Sequence, residues 1–141
     1  MKYRNIDFEA FRSMLLYHRI VEWDNNKITL DNGITIAIEE TAHDCCASAG
    51  GVFTNVVLDA AITSVSEPKY VGFKEGYGGY GTSAIVKFLH NRNLICQAEG
   101  EADAGNGGYY YSIASFCIRV PQHPNEELRC HFVADDDGDL E

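Results

Sequence analysis

The sequence predicts an α+β domain in which one N-terminal amphipathic helix packs on a twisted, mainly antiparallel sheet of about five to seven strands. Apolar residues recur at helical spacing near the N-terminus, whereas most later apolar residues alternate with polar ones, as in strands. Two turn sequences also separate pairs of alternating runs. At 141 residues, 45% of them hydrophobic, the chain has room for one packed domain, which we place at residues 1–134.

The helix is predicted between Asn5 and His18. Apolar residues at three- and four-residue spacing fall on one helix face. These residues are Phe8, Phe11, Met14 and Leu15. Asn5 or Asp7 can cap the first turn, because a short polar side chain accepts a hydrogen bond from the free backbone N–H groups there.

The clearest strand signal is a β-hairpin over residues 27–38. Ile28 and Leu30 alternate with polar residues, and the same alternation resumes from Ile34. Asp31-Asn32-Gly33 lies between the two runs, and Asn-Gly is typical of a tight hairpin turn. Residues 20–23 are expected to add a strand before this hairpin.

The middle of the chain predicts a second hairpin. Residues 84–89 and 94–98 alternate in polarity and are separated by the polar turn His90-Asn91-Arg92-Asn93. Gly50-Gly51 and the segment through Ala61 fit either a short helix or a buried strand, and we favour a turn of helix. A strand at 62–66, ended by Pro68, follows it.

The last strands precede an acidic tail. From Tyr110 to Val120, apolar and polar positions alternate, which indicates a strand with one solvated face. A short edge strand is predicted at residues 129–133. Residues 135–141 contain five acidic residues and are expected to be a disordered tail.

Composition narrows the class of partner. The net charge is −10, which disfavours direct binding to nucleic acid or to an anionic membrane, because phosphate groups are bound by Lys and Arg. A protein with a basic surface is the expected partner. The sequence has no apolar run of membrane-spanning length and no signal-peptide pattern, so we expect a cytoplasmic protein.

Three acidic residues suggest a binding face. Glu99, Glu101 and Asp103 alternate with small residues, so a strand would present all three on one side. Their spacing along a strand, about 6–7 Å, approximates that of phosphates along one DNA strand. The face could therefore imitate a nucleic-acid backbone toward a basic protein, although a merely solvated face is the common outcome.

Aromatic and glycine-rich segments suggest adaptable binding loops. Gly76 to Gly81 is expected to form a flexible loop that exposes Tyr77 and Tyr80. It matches the dinucleotide-binding glycine pattern only literally, since no strand–helix context surrounds it. The segment from Asn106 contributes further candidate contacts, so the predicted binding residues beyond the acidic stripe are Tyr77, Tyr80, Asn106, Tyr109 and Tyr111.

A nucleotide-binding alternative uses the same rings. Tyrosine rings and Phe73 could stack on a base, with Arg92 or Arg119 contacting phosphate. This set would suit a small signalling nucleotide, held in a pocket that two subunits could share.

The segment His43-Asp44-Cys45-Cys46 raises a metal or thiol site. Thiolates and imidazoles bind zinc, and a thiolate beside a protonated histidine is a nucleophile. Adjacent cysteines are not the usual chelating spacing, and any remaining ligands would come from afar: His90, Cys96, Cys117, Cys130 or His131. We therefore expect no metal and no cofactor, with Asp44 capping a turn and a cysteine filling the core.

Two segments carry a resemblance to a known family. Asp44-Cys45-Cys46 after a hairpin, and Asn106-Gly107-Gly108-Tyr109-Tyr110-Tyr111-Ser112, resemble an uncharacterised family of small bacteriophage proteins. The resemblance covers about Ile20 to Val120. Ala47 stands where that family usually has an acidic residue, and the second segment carries extra Gly and Tyr. The resemblance implies a phage context and assigns no chemistry.

Together these observations predict a small acidic phage-type accessory protein that is not an enzyme. It would act in host takeover or evasion of host defence, by stoichiometric binding and inhibition of a host protein in the host cytoplasm. One alternative is a sponge for a small signalling nucleotide. Another is a Cys/His metal or thiol hydrolase. A homo-oligomer is compatible with each of these functions.

Overall fold

A computed structural model describes residues 2–44, 47–75, 79–106 and 111–136 of the chain. For residues 73–75, 79, 80, 106 and 136 it describes the backbone alone.

The described residues form a β-sandwich with one short helix, so the predicted α+β class is wrong. Its elements are β1 (Lys2–Asn5), α1 (Phe8–Leu15), β2 (Ile20–Asp24), β3 (Lys27–Leu30), β4 (Thr35–His43), β5 (Ala49–Thr54), β6 (Ser64–Val65), β7 (Lys69–Glu75), β8 (Gly79–His90), β9 (Asn93–Asn106), β10 (Tyr111–Arg119) and β11 (Glu126–Asp136). The first sheet has the order β1-β11-β10-β4-β3-β2. The second has the order β5-β9-β8-β6, and β7 also pairs with β8.

The apolar faces of the two sheets explain why the fold is a sandwich. Both sheets have one apolar face that must be covered, and an eight-residue helix is too small to cover either. The two sheets therefore cover each other, with the core between them. Its largest buried side chains include five phenylalanines, from both sheets and from α1: Phe11, Phe53, Phe88, Phe116 and Phe132.

The helix is shorter than predicted. Asp7 is its N-cap, and the Asp7 side chain accepts a 2.8 Å hydrogen bond from the backbone N–H of Ala10. Asn5, the other candidate cap, instead belongs to β1, which runs parallel to β11. Phe11 points from α1 into the core and stacks on Phe116, with ring centroids 4.4 Å apart.

Both predicted hairpins are present, as β3–β4 and β8–β9. The turn of helix expected in the segment from Gly50 through Ala61 is wrong: β5 takes up this segment as far as Thr54, and residues 55–61 have no regular structure apart from an isolated bridge at Ala61. The following strand is only two residues long. The glycine segment, expected to be a loop as far as Gly81, is strand from Gly79 onward, where β8 pairs with β7.

The last strand is longer than predicted. β11 pairs with β1 over residues 126–129 and with β10 over residues 128–136, so within the predicted edge strand, 129–133, only Arg129 has a strand on both sides. Asp135 and Asp136, expected in the tail, belong to β11, and the Asp135 carboxylate accepts a 2.9 Å hydrogen bond from Thr82 on the second sheet. Residues 137–141 of the expected tail lie outside the described residues.

A search of the described residues finds no helix with the length and apolar character that a membrane span requires.

Candidate binding face

The outer face of the second sheet carries the predicted acidic residues. Along β9, Ala98, Gly100 and Ala102 are buried against the first sheet. The intervening residues point to the opposite side, because successive side chains in a strand alternate. Glu99, Glu101 and Asp103 thus lie on the solvent side of the second sheet, which we call the outer face.

Glu99 is held in place by two neighbours. One of its carboxylate oxygens, Oε2, accepts a 2.7 Å hydrogen bond from the hydroxyl of Thr54 and a 3.0 Å hydrogen bond from the amide of Gln97. Thr54 lies opposite Gln97 on the adjacent strand β5. These donors fix the carboxylate and satisfy part of its hydrogen-bonding capacity.

Asp103 ties β9 to the chain just after Cys46. Its carboxylate accepts hydrogen bonds from the backbone N–H and the hydroxyl of Ser48, both at 3.0 Å, and from the backbone N–H of Gly105 at 3.1 Å. Ser48 also accepts a backbone hydrogen bond from Asp103. The Asp103 carboxylate therefore stabilises local structure, and these hydrogen bonds make it less available to a binding partner.

Glu101 is the most available carboxylate of the three. It is exposed and lies between Gly50 of β5 and Ser83 of β8. Neither neighbour has a charged side chain or one large enough to cover it.

Exposed apolar residues surround the acidic stripe. Val52 and Ile85 lie on either side of Glu99, and Val71 lies beyond Ser83 in the row of Glu101. Val52, Ile85 and Val71 are 41%, 36% and 61% exposed, respectively. A contiguous mixture of apolar and charged side chains on an open sheet face has the character of a protein-binding surface.

Two lysines moderate the charge of the face. Lys69 lies opposite Ile85, and Lys87 lies opposite Gln97. The negative charge is therefore concentrated on β9, and the two lysines lie on the neighbouring strands. The outer face therefore resembles a DNA strand less than predicted. It is better described as one exposed carboxylate, that of Glu101, among apolar side chains.

The predicted aromatic contacts divide among different places. Tyr111 is 37% exposed on β10, in the first sheet, and so does not share the outer face. Tyr80 pairs by backbone with Lys74, and Asn106 pairs with Gly79. Tyr77 and Tyr109 lie outside the described residues.

The three residues predicted for the nucleotide-binding alternative lie in separate parts of the fold. Phe73 is in β7, and Arg92 is in the β8–β9 turn. Arg119 ends β10 in the first sheet, where its guanidinium donates a 3.2 Å hydrogen bond to the nearly buried carboxylate of Glu127. No contact among the described residues joins these three positions into one pocket.

The comparisons place the chain in a family. A family model for a domain of unknown function, DUF7448, matches residues 13–117. This chain belongs to the DUF7448 family. No curated protein and no solved structure matches it significantly. The expected membership in an uncharacterised domain family is confirmed, while its phage origin stays a prediction.

The match spans β2 to β9 and most of β10, and so contains every outer-face residue named above. Strands β1 and β11 of this DUF7448 domain lie outside the match, although β11 contributes Phe132 to the core.

The described cysteines of this DUF7448 domain are buried thiols. Burial raises the pKa of Cys96, Cys117 and Cys130 to about 12 each, so they are protonated at neutral pH and poor nucleophiles or metal ligands. Cys45 and Cys46 lie outside the described residues. His43 lies 3.2 Å from Glu40, and the predicted distant ligand His90 contacts the carbonyl of Ala61. The described residues contain no group of three potential metal ligands.

Sequence reasoning missed the apolar part of the outer face of this DUF7448 domain. Ile85 occupies a polar position in the alternation of β8, between buried Ala84 and Val86, and this departure was a readable signal. Val52 and Val71 had no such signal, because a turn of helix was preferred to a strand in the segment that contains β5, and β7 was not predicted as a strand.

Proposed function

We propose that this protein acts by stoichiometric binding to a partner protein through the outer face of its second sheet. The observation that carries the proposal is the position of Glu101, an exposed carboxylate on a rigid strand with Val52, Val71 and Ile85 around it. Apolar side chains would supply most of the binding energy, and the carboxylate would select a partner with a positive charge at the matching position.

The rigidity of the face supports this role. β9 is paired along both edges, by β5 and β8, and Thr54 and Gln97 hold the side chain of Glu99. A surface that needs no rearrangement loses little conformational entropy on binding.

The resemblance to small bacteriophage proteins supplies the biological setting of the proposal. The partner would be a host protein with a basic surface, and the protein would bind and inhibit it in the host cytoplasm, during host takeover or evasion of defence. The net charge of −10 favours encounter with such a surface.

The two alternatives receive less support from the described residues. Of the arginines that would contact nucleotide phosphate, Arg92 is in the β8–β9 turn and Arg119 ends β10 in the first sheet, and the described thiols are protonated. We therefore place the activity in binding rather than in nucleotide capture or hydrolysis.

The test is a pulldown from bacterial host lysate with three baits: wild type, Glu101→Lys and Glu39→Lys. Glu39 is exposed on β4 in the first sheet, so its reversal makes the same charge change away from the outer face. We expect wild type and Glu39→Lys to retain one protein that Glu101→Lys loses, and this retention to weaken as salt rises. Equal retention by all three baits would contradict the proposal.

A further inference from the structure

Strand β7 ends the second sheet with an edge seven residues long that no other described strand pairs with. It pairs with β8 along its full length, Lys69 to Glu75, on one side only. Among the described residues, no backbone hydrogen bond reaches it from the other side. An unpaired edge presents free N–H and C=O groups to which another strand can add.

The other sheet edges are short or contacted. β1 has four residues and β6 has two. On β5, the N–H groups of Ala49 and Phe53 donate to the Glu40 side chain and the Asn25 carbonyl. On β2, the carbonyl of Ile20 accepts from Asp59.

The edge of β11 that extends beyond β1 lies next to β7. Beyond Arg129, no strand of the described residues pairs with β11 on the side where β1 ends, and the hydroxyl of Tyr70 donates a 3.2 Å hydrogen bond to the Phe132 carbonyl of β11. Tyr70 thereby links β7 to the first sheet. This hydrogen bond helps to position β7 against the first sheet.

The sequence of β7 is complementary to itself when reversed. With Gly72 at the centre, antiparallel pairing of two copies sets Lys69 of each copy opposite Glu75 of the other, and Val71 opposite Phe73. Opposite charges and apolar pairs placed directly across an antiparallel ladder both stabilise it. A two-fold axis generates each contact twice.

Gly72 gives an independent reason to expect close approach at this centre. A Cβ atom there would meet nothing nearer than the Gly81 carbonyl oxygen at 3.9 Å, so packing within the chain does not require glycine. Gly72 is also absent from the positive-φ residues, so its backbone does not require glycine either. Glycine inside a strand often marks a place where another backbone approaches.

We propose that two copies of this chain associate through β7, antiparallel about Gly72, to form one continuous sheet. This inference goes beyond the proposed function and does not rest on it, because the outer face of a single copy is complete. In the dimer the two outer faces would lie side by side in one sheet.

The test is sedimentation velocity of the full chain from about 1 to 500 µM, with charge variants of β7. Wild type should pass from monomer to dimer within this range. Lys69→Glu places like charges opposite each other twice, and should raise the dissociation constant at least about tenfold. Glu75→Lys should act similarly, and the exchange Lys69→Glu with Glu75→Lys should restore wild-type association.

Lys87→Glu is the matched control, since Lys87 is exposed on the outer face but lies on β8, away from the edge. It should associate like wild type. Circular dichroism melting establishes that each variant is folded. A wild type that stays monomeric throughout the range, a dimer insensitive to Lys69→Glu, or an exchange variant that fails to recover would each overturn the proposal.

Discussion

The guanidinium of Arg129 and the carboxylate of Glu127 form a 2.7 Å ion pair on the outer side of the first sheet, where the Glu127 side chain is only 6% exposed. The other oxygen of Glu127 accepts from Arg119, and the ring of Tyr3 lies 4.0 Å from the Arg129 guanidinium carbon. A carboxylate this buried is tolerated because two cations compensate it.

Replacing this carboxylate should destabilise the fold. Glu127→Ala leaves two arginines without their shared partner, and we expect a loss of about 1–3 kcal/mol in the free energy of unfolding, measured by urea titration. Glu126→Ala is the control: its pair with Arg4 is exposed on both sides, so the change should stay within about 0.5 kcal/mol. Equal effects of the two substitutions would contradict this account of Glu127.

Asp103 and Glu101 should behave oppositely, although both lie on β9. Asp103→Ala removes an acceptor from Ser48 and Gly105, and should cost about 1–3 kcal/mol in urea unfolding. Glu101→Ala should change stability by less than about 0.5 kcal/mol, because its side chain is exposed. A larger stability loss for Glu101 than for Asp103 would be inconsistent with the described contacts.

The approach of β5 to its neighbours depends on Gly51. A Cβ atom there would lie 2.5 Å from the Glu99 carbonyl oxygen and 2.8 Å from a methyl carbon of Ile38. Gly51→Ala should therefore destabilise the protein by about 1–3 kcal/mol, measured by chemical denaturation. Gly50→Ala, next along the strand, meets nothing within 4 Å and should be neutral or slightly stabilising. Similar losses at both positions would refute this reading of β5.

Asp31 should give the protein a measurable pH dependence. The hydrogen bond from His18, at 2.8 Å, holds the pKa of Asp31 below its usual value of 3.8. The ionised form is thus favoured by folding, so the stability it contributes is present above that value and is lost as the pH falls through the lowered pKa. In His18→Ala, carboxyl NMR titration should show the Asp31 pKa moving upward, and unfolding between about pH 5 and 2 should depend less on pH.

His123→Ala serves as the control for this titration, because His123 is exposed in the loop after β10 and is not among the groups that shift the pKa of Asp31. It should leave the Asp31 pKa unchanged. An Asp31 pKa that does not rise when His18 is removed would show that another group lowers it.

The hairpins could be predicted because their information is local. Alternating apolar residues on both sides of Asp31-Asn32-Gly33 determine strand, turn and strand within about twelve residues. The β8–β9 hairpin follows from the same kind of signal. The alternation at Glu99, Glu101 and Asp103 likewise indicates one face from sequence alone.

The β-sandwich could not be predicted in the same way. Alternation indicates that a strand has an apolar face, but not whether a helix or a second sheet covers it. The pairing of Lys2 with Glu126 joins the two ends of the chain, and the contact of Asp103 with Ser48 spans 55 positions. Such contacts between distant parts of the chain cannot be predicted from local sequence patterns. The sequence therefore presents Glu99, Glu101 and Asp103 as equivalent, and only the structure shows that Glu99 and Asp103 are hydrogen-bonded while Glu101 is exposed.

Carboxyl labelling of the complex tests the central claim most directly. Free protein and protein bound to its captured partner are treated with a carbodiimide and an amine, and modification of each acidic residue is measured by mass spectrometry. We expect Glu101 to be labelled when free and protected when bound, while Glu39 on the first sheet stays labelled in both. Protection of Glu39 with continued labelling of Glu101 would contradict binding through the outer face of the second sheet.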